Sequence, residues 1–165
     1  MEHINISLNY KSGYNNGWPL ISLYCNNQFI DCFEASAENY TVTFPVSSGP
    51  VSFVIEHWGK NPVTDSFPSD KFFELIDLTI NDIPCKRILN DAIKKNRPTP
   101  WDKNFNVSTG DTYLGHNSTL EIRLSSPIKS WLQTILGSAQ KQIQGQETTR
   151  EMLAEAKKFF KIESR

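Results

Sequence analysis

A chain of 165 residues fits one ordinary domain, long enough to bury a real core without disulfide or metal staples. Its 17 Lys and Arg stand against 18 Asp and Glu, and a formal net charge of -1 offers no broad field to a polyanion, so nucleic acid is set aside as a partner. Aromatic residues at 12% with charged residues at 21% suit β-rich surfaces and chains that work against partners.

The N-terminal stretch MEHINISLNY carries an acidic residue at position 2 and alternating polarity, without the basic region or apolar core of a signal peptide. The expectation is a chain made and kept in a cytoplasm. No apolar run approaches the about 20 residues that cross a bilayer, so no membrane insertion is expected. Ile4, Ile6, Leu8 and Tyr10 alternate with Asn5, Ser7 and Asn9, the period of a strand with one buried face. Ser12 to Gly17, SGYNNG, is turn chemistry. Leu20 to Cys25 and Gln28 to Phe33 flank Asn26-Asn27, which predicts a hairpin.

A second hairpin is predicted from Tyr40, Val42 and Phe44, then SSGP, then Val51 to His57. After a polar loop, Gly59 to Asp70, the run Phe72 to Ile80 reads as a central strand ending in a turn at Asn81-Asp82. Cys85 to Asn96 suggests a short helix through Ile88, Leu89 and Ala92, with Arg97-Pro98-Thr99-Pro100 forcing an extended exit. A long loop rich in Asn, Thr and Gly then leads to a late strand, Ser118 to Leu124.

Ser126-Pro127 is a helix start, since Ser caps orphan amides and Pro suits the first helical position. Ile128, Trp131, Leu132, Ile135 and Leu136 recur at helical spacing up to Gly137. Thr148 and Glu151 form a capping box for a second helix with an apolar side of Met152, Leu153, Ala156, Phe159 and Phe160. A helix of about 15 residues is marginal alone in water. Beyond a polar linker, this one is expected to bury its stripe on a partner, a second copy or a different protein subunit.

Chemistry-bearing residues are sparse. Cys25, Cys32 and Cys85 lack the CxxC spacing of zinc or redox sites, and no local signature joins them to His3, His57 or His116. A G-x-S-x-G elbow, a phosphate-cradling Gly loop and an H-E-x-x-H motif are missing, so the expectation is a non-catalytic protein. Glu56, Asp65, Asp70, Glu74 and Asp77 gather around two strands read as adjacent; they are either solvated loop acids or hard oxygen ligands for calcium, Glu56, Asp65 and Asp70 being the metal candidates. His57 and Trp58 are either strand-end packing or a surface on which a sugar ring stacks. Trp101 and Trp131 either plug the ends of the fold or anchor a protein interface.

Two resemblances follow from these segments. Ile4 to Ile83, with PLISLYCNNQF at Pro19 to Phe29, NYTVTF at Asn39 to Phe44 and FFELIDLTIND at Phe72 to Asp82, resembles the β-sandwich, jelly-roll modules of calcium-dependent xylan-binding type. That likeness implies a glycan-binding end at Trp58, Asn61, Asp65 and Asp70, with calcium as a possible organiser. Over a longer span, HWGKNPVTD at His57 to Asp65, DLTINDI at Asp77 to Ile83, Pro100-Trp101 and SPIKSWL at Ser126 to Leu132 resemble small virion-associated proteins of tailed phages. This second likeness implies a structural or receptor-facing part of a virus particle, assembled in a host cytoplasm.

The combined expectation is a mainly β chain: a jelly-roll-like antiparallel sandwich over 1–125, then a helical extension over 126–165 that docks through Trp131 and the Met152 to Phe160 stripe. Occupying a place in an assembly is the leading role, and carbohydrate binding through the 57–70 loop is its rival.

Overall fold

The computed structural model describes residues 1–60, 70–85, 93–99, 102–109, 111–115 and 117–142. Two antiparallel sheets face each other. The first has strand order β10-β6-β1-β4, with β7 also paired to β6; the second runs β3-β2-β5-β11-β8-β9. In chain order the strands are β1 (Glu2–Ser12), β2 (Leu20–Cys25), β3 (Gln28–Glu34), β4 (Asn39–Val46), β5 (Gly49–Trp58), β6 (Phe73–Ile80), β7 (Ile83–Pro84), β8 (Ile93–Thr99), β9 (Asp102–Thr109), β10 (Tyr113–Leu114) and β11 (Ser118–Ser126), followed by helix α1 (Ile128–Gln142). The chain repeatedly crosses between sheets, as expected of a jelly-roll-like sandwich.

Period-two patterning builds the core. Ile4, Ile6, Leu8 and Tyr10 of β1 point inward against Ile21 and Leu23 of β2, Phe53 and Ile55 of β5, and Leu120 and Ile122 of β11, all buried. Phe44 of β4 lies parallel to Phe53 of β5, with ring centroids 5.6 Å apart, and so joins the two sheets. Truncating Phe53 to Ala would leave a cavity costing about 3–5 kcal/mol. In β6 the register slips where Asn9 pairs with Asp77 but Tyr10 with Leu75. The slip turns Phe73, Leu75, Leu78 and Ile80 all inward while Asp77 stays exposed, which explains why the buried positions of FELIDLTI change parity after Leu75.

Four expectations are corrected. The second hairpin, expected from Tyr40 to His57, does not form: β4 pairs with β1 in the first sheet, while β5 pairs with β2 and β11 in the second. The helix expected over Cys85 to Asn96 gives way, at its end, to strand β8 from Ile93, whose side chain is buried; residues 86–92 lie outside the described set. The long loop before Ser118 contains strands β9 and β10. The helix after Ser126 passes through Gly137 to Gln142, and its first amide is capped by Glu2 rather than by Ser126: Ile128 N donates to the Glu2 carboxylate at 3.1 Å. Ile128 and Leu132 are buried in the sandwich core, with Trp131 and Ile135 packed against it. Trp131, expected at a docking interface, is therefore half-buried against its own sandwich, while Met152, Leu153, Ala156, Phe159, Phe160 and Trp101 lie outside the described residues.

Candidate functional site

Strand pairing fixes one end of the sandwich. Ser12 pairs with Phe73, Leu20 with Trp58, and His57 with Ser118, so the segments following β1 and β5 and those preceding β2, β6 and β11 emerge together. Parity then sorts His57 from Trp58. His57 turns into the core and is fully buried, which removes it from any surface stacking role. Trp58 lies on the outer face of the second sheet, 41% exposed, with its indole Nε1 donating to Ser22 Oγ at 2.9 Å. That bond fixes the ring's orientation and leaves a face to solvent.

Contacts from three directions lock this end. Gly13 N donates to the Phe72 carbonyl at 3.0 Å. The Lys60 ammonium donates to Asp70 Oδ1 and to the Gly115 carbonyl. Asn117 grips the Lys60 backbone twice, accepting its N–H at 3.0 Å and donating Nδ2 to its carbonyl at 3.3 Å. The Tyr113 hydroxyl donates to Asp70 Oδ2 at 3.4 Å, and its ring packs on Phe72 with centroids 5.3 Å apart. Burial, then the negative charge of Asp70, pushes the Tyr113 phenol above its usual range. Lys71 Nζ reaches the Gly59 carbonyl at 3.5 Å. Tyr14, 60% exposed, meets Trp18 edge-on at 5.1 Å.

Glu56, Asp70, Glu74 and Asp77, the candidate acids among the described residues, do not converge as a metal cluster. β5 and β6, expected to be adjacent strands, belong to different sheets, because the chain crosses the sandwich between Trp58 and Phe73. Glu56 sits on the outer face of the second sheet and accepts the Tyr24 hydroxyl at 2.9 Å. Asp70 is taken by Lys60, and Asp77 Oδ1 accepts the Leu78 amide at 2.8 Å. Among the described residues no group of three or more His, Cys, Asp or Glu is placed to hold a metal ion. Asn61 and Asp65 lie outside the described residues.

Of the expected ligand-binding residues, the structure places Trp58 and Asp70 at the same end. It adds Tyr14, Trp18, Lys60, Tyr113 and Asn117, which sequence reasoning did not single out. Their only signal was aromatic residues set in Gly- and Asn-rich segments beside strand ends, as in SGYNNGW and TYLGHN.

No family model and no curated protein matches the sequence, so the likeness to phage particle proteins has no counterpart there. Among solved structures the chain is similar to vCBM60 in its selenomethionine form, described with calcium-dependent carbohydrate-binding modules, at 12% identity and TM-score 0.48, covering 72% of this chain and 89% of that one. It is similar also to vCBM60 in complex with galactobiose, at 11% identity and TM-score 0.48, covering 72% and 96%. A C2 domain-containing protein follows at 15% identity and TM-score 0.23, covering 76% and 90%.

Proposed function

We propose that this chain is a non-catalytic glycan-binding sandwich whose ligand end is the rim of Tyr14, Trp18, Trp58 and Tyr113. One observation carries the reading. Among the described residues the large apolar side chains left exposed are Met1, Tyr14, Phe29, Trp58 and Tyr113, and three of these five are aromatic rings at the same end. Solvent-exposed rings gathered at one end of a rigid scaffold, on strand ends and the loop beside them, mark a binding surface rather than chance exposure. Between them stand Asp70 and Lys71, polar groups able to exchange hydrogen bonds with hydroxyls. A sugar presents C–H faces to such rings and hydroxyls to such groups.

The test is titration of neutral xylo-, cello- and galacto-oligosaccharides by calorimetry. Binding is expected, weakened about tenfold or more by Trp58→Ala with the unfolding midpoint and circular dichroism kept. Phe29→Ala, at the opposite end of the sandwich beside the Asn26-Asn27 turn, leaves affinity unchanged. Absence of binding to every glycan tried would overturn the reading.

A further inference from the structure

We propose that the Lys60 ammonium is the built-in cation of this end, holding together what a calcium ion would otherwise gather, so that ligand capture there is independent of calcium. The inference rests on the reading of this end as a glycan site. Calcium organises a loop by drawing in hard oxygens, carboxylates and backbone carbonyls, from segments far apart in sequence. Here one carboxylate oxygen, Asp70 Oδ1, and one backbone carbonyl, Gly115 O, converge from segments 45 residues apart, the difference of the two residue numbers, and both face Lys60 Nζ. The seat is of calcium's donor type, and an ammonium fills it.

The lysine is committed to that seat. Its side chain is only 7% exposed against 29% for Asp70, and an unpaired ammonium at such burial would be strongly disfavoured. Its backbone is held on both polar groups by Asn117, which fixes the root of the stem, and swinging the ammonium out would break its bonds to Asp70 and Gly115. A divalent ion at Asp70 Oδ1 would have to share the carboxylate with a cation already in contact, and like charges at that range repel. The remaining carboxylate oxygen receives the Tyr113 hydroxyl, whose ring forms part of the rim. Lys60 is thus a positioning residue: it fixes Asp70, and Asp70 fixes Tyr113.

The experiment follows thermal unfolding of the full chain, stripped of metal, in chelator and in millimolar calcium, for wild type, Lys60→Met, Asp70→Asn and the double variant. Wild type is expected to unfold at the same temperature in both media within about 1 °C. Lys60→Met is expected to unfold several degrees lower, and Lys60→Met with Asp70→Asn to recover part of that loss, because removing the carboxylate relieves the uncompensated charge. A calcium-induced rise of several degrees in wild type would overturn the proposal, whether or not Lys60→Met shows the same rise. So would strict additivity of the two substitutions. If Lys60→Met does not fold, the wild-type comparison in the two media still decides. Failure of all glycans to bind, with calcium-insensitive unfolding and a coupled pair, would remove the glycan reading and leave the built-in cation standing; calcium-dependent glycan binding would do the reverse.

Discussion

The carboxylate of Glu2 accepts the backbone amide of Ile128 at 3.1 Å, although 126 positions separate the two residues in sequence. The same carboxylate receives the Ser126 hydroxyl at 2.6 Å. The second residue of the first strand thereby caps the helix that follows the last strand, and a negative charge sits where the helix dipole is positive. Glu2→Ala should lower the free energy of unfolding by about 1–2 kcal/mol, and Glu2→Gln by less, since the amide oxygen still accepts. Urea denaturation of the three proteins checks this. Equal stability would mean that the cap is made by water.

Asn26 and Asn27 both lie at positive φ, 49° and 65°, the pair of values a two-residue mirror-image turn demands. Asn26 also ties the hairpin to β5, donating its amide to the Ser52 carbonyl and accepting the Ser52 amide on Oδ1, each at 2.8 Å. Asn27→Val should therefore cost about 1–2 kcal/mol, the strain of a left-handed residue with a branched Cβ. Asn27→Gly should be as stable as wild type or better. Chemical denaturation of both variants separates backbone strain from loss of side-chain contacts, because Gly removes the side chain without the strain.

Those asparagines show what the sequence made legible. Turn chemistry is local, so Asn26-Asn27 and Asn81-Asp82, all at positive φ, could be placed from residue type alone. The alternating strands β1, β4, β5 and β11 were equally readable, since one buried face imposes the period. β8 and β9 were not: Lys94 to Thr99 has no apolar alternation, Asp102 to Thr109 alternates only at Phe105 and Val107, and β9 is the edge of its sheet. Likewise Trp58 and Asp70 could be named from their places at the two ends of a polar loop. Lys60 could not be matched to Gly115, 55 positions away, because only the crossing of the chain between sheets brings them together.

Tyr40 donates its hydroxyl to the Asp31 carboxylate and stacks on Phe33 at 3.8 Å with planes 5° apart, joining edge strand β4 of one sheet to edge strand β3 of the other. That hydrogen bond first, then burial, pushes the phenol from its ordinary 10.0 up to about 12. A folded-state value above the unfolded one means that the contribution is complete below pH 10 and disappears as pH rises through 12. Wild type should accordingly be more stable than Tyr40→Phe at neutral pH, and the two should converge across that alkaline window. Urea midpoints measured on either side of it would show the convergence. Parallel curves would mean that Asp31 does not hold the phenol proton.

Gly13 lies where the segment after β1 meets the segment before β6. A Cβ added there would run into the backbone carbonyl of Asp70 and the ring of Phe72, whose Cε1 would be 2.7 Å away. A ring can turn aside, but a carbonyl cannot move without moving its backbone. Gly13→Ala should therefore cost about 1–3 kcal/mol by overpacking. The damage should extend to ligand capture, because Phe72 supports the Tyr113 ring and Asp70 accepts from both Lys60 and Tyr113. Gly115→Ala supplies the contrast. The three described atoms nearest its added Cβ all belong to the Tyr113 side chain, the closest at 2.6 Å, so that ring must shift before any backbone does. Glycan affinity should then fall with little change in the urea midpoint. A Gly13→Ala protein with wild-type stability would mean that the two loops do not meet as closely as their hydrogen bond requires.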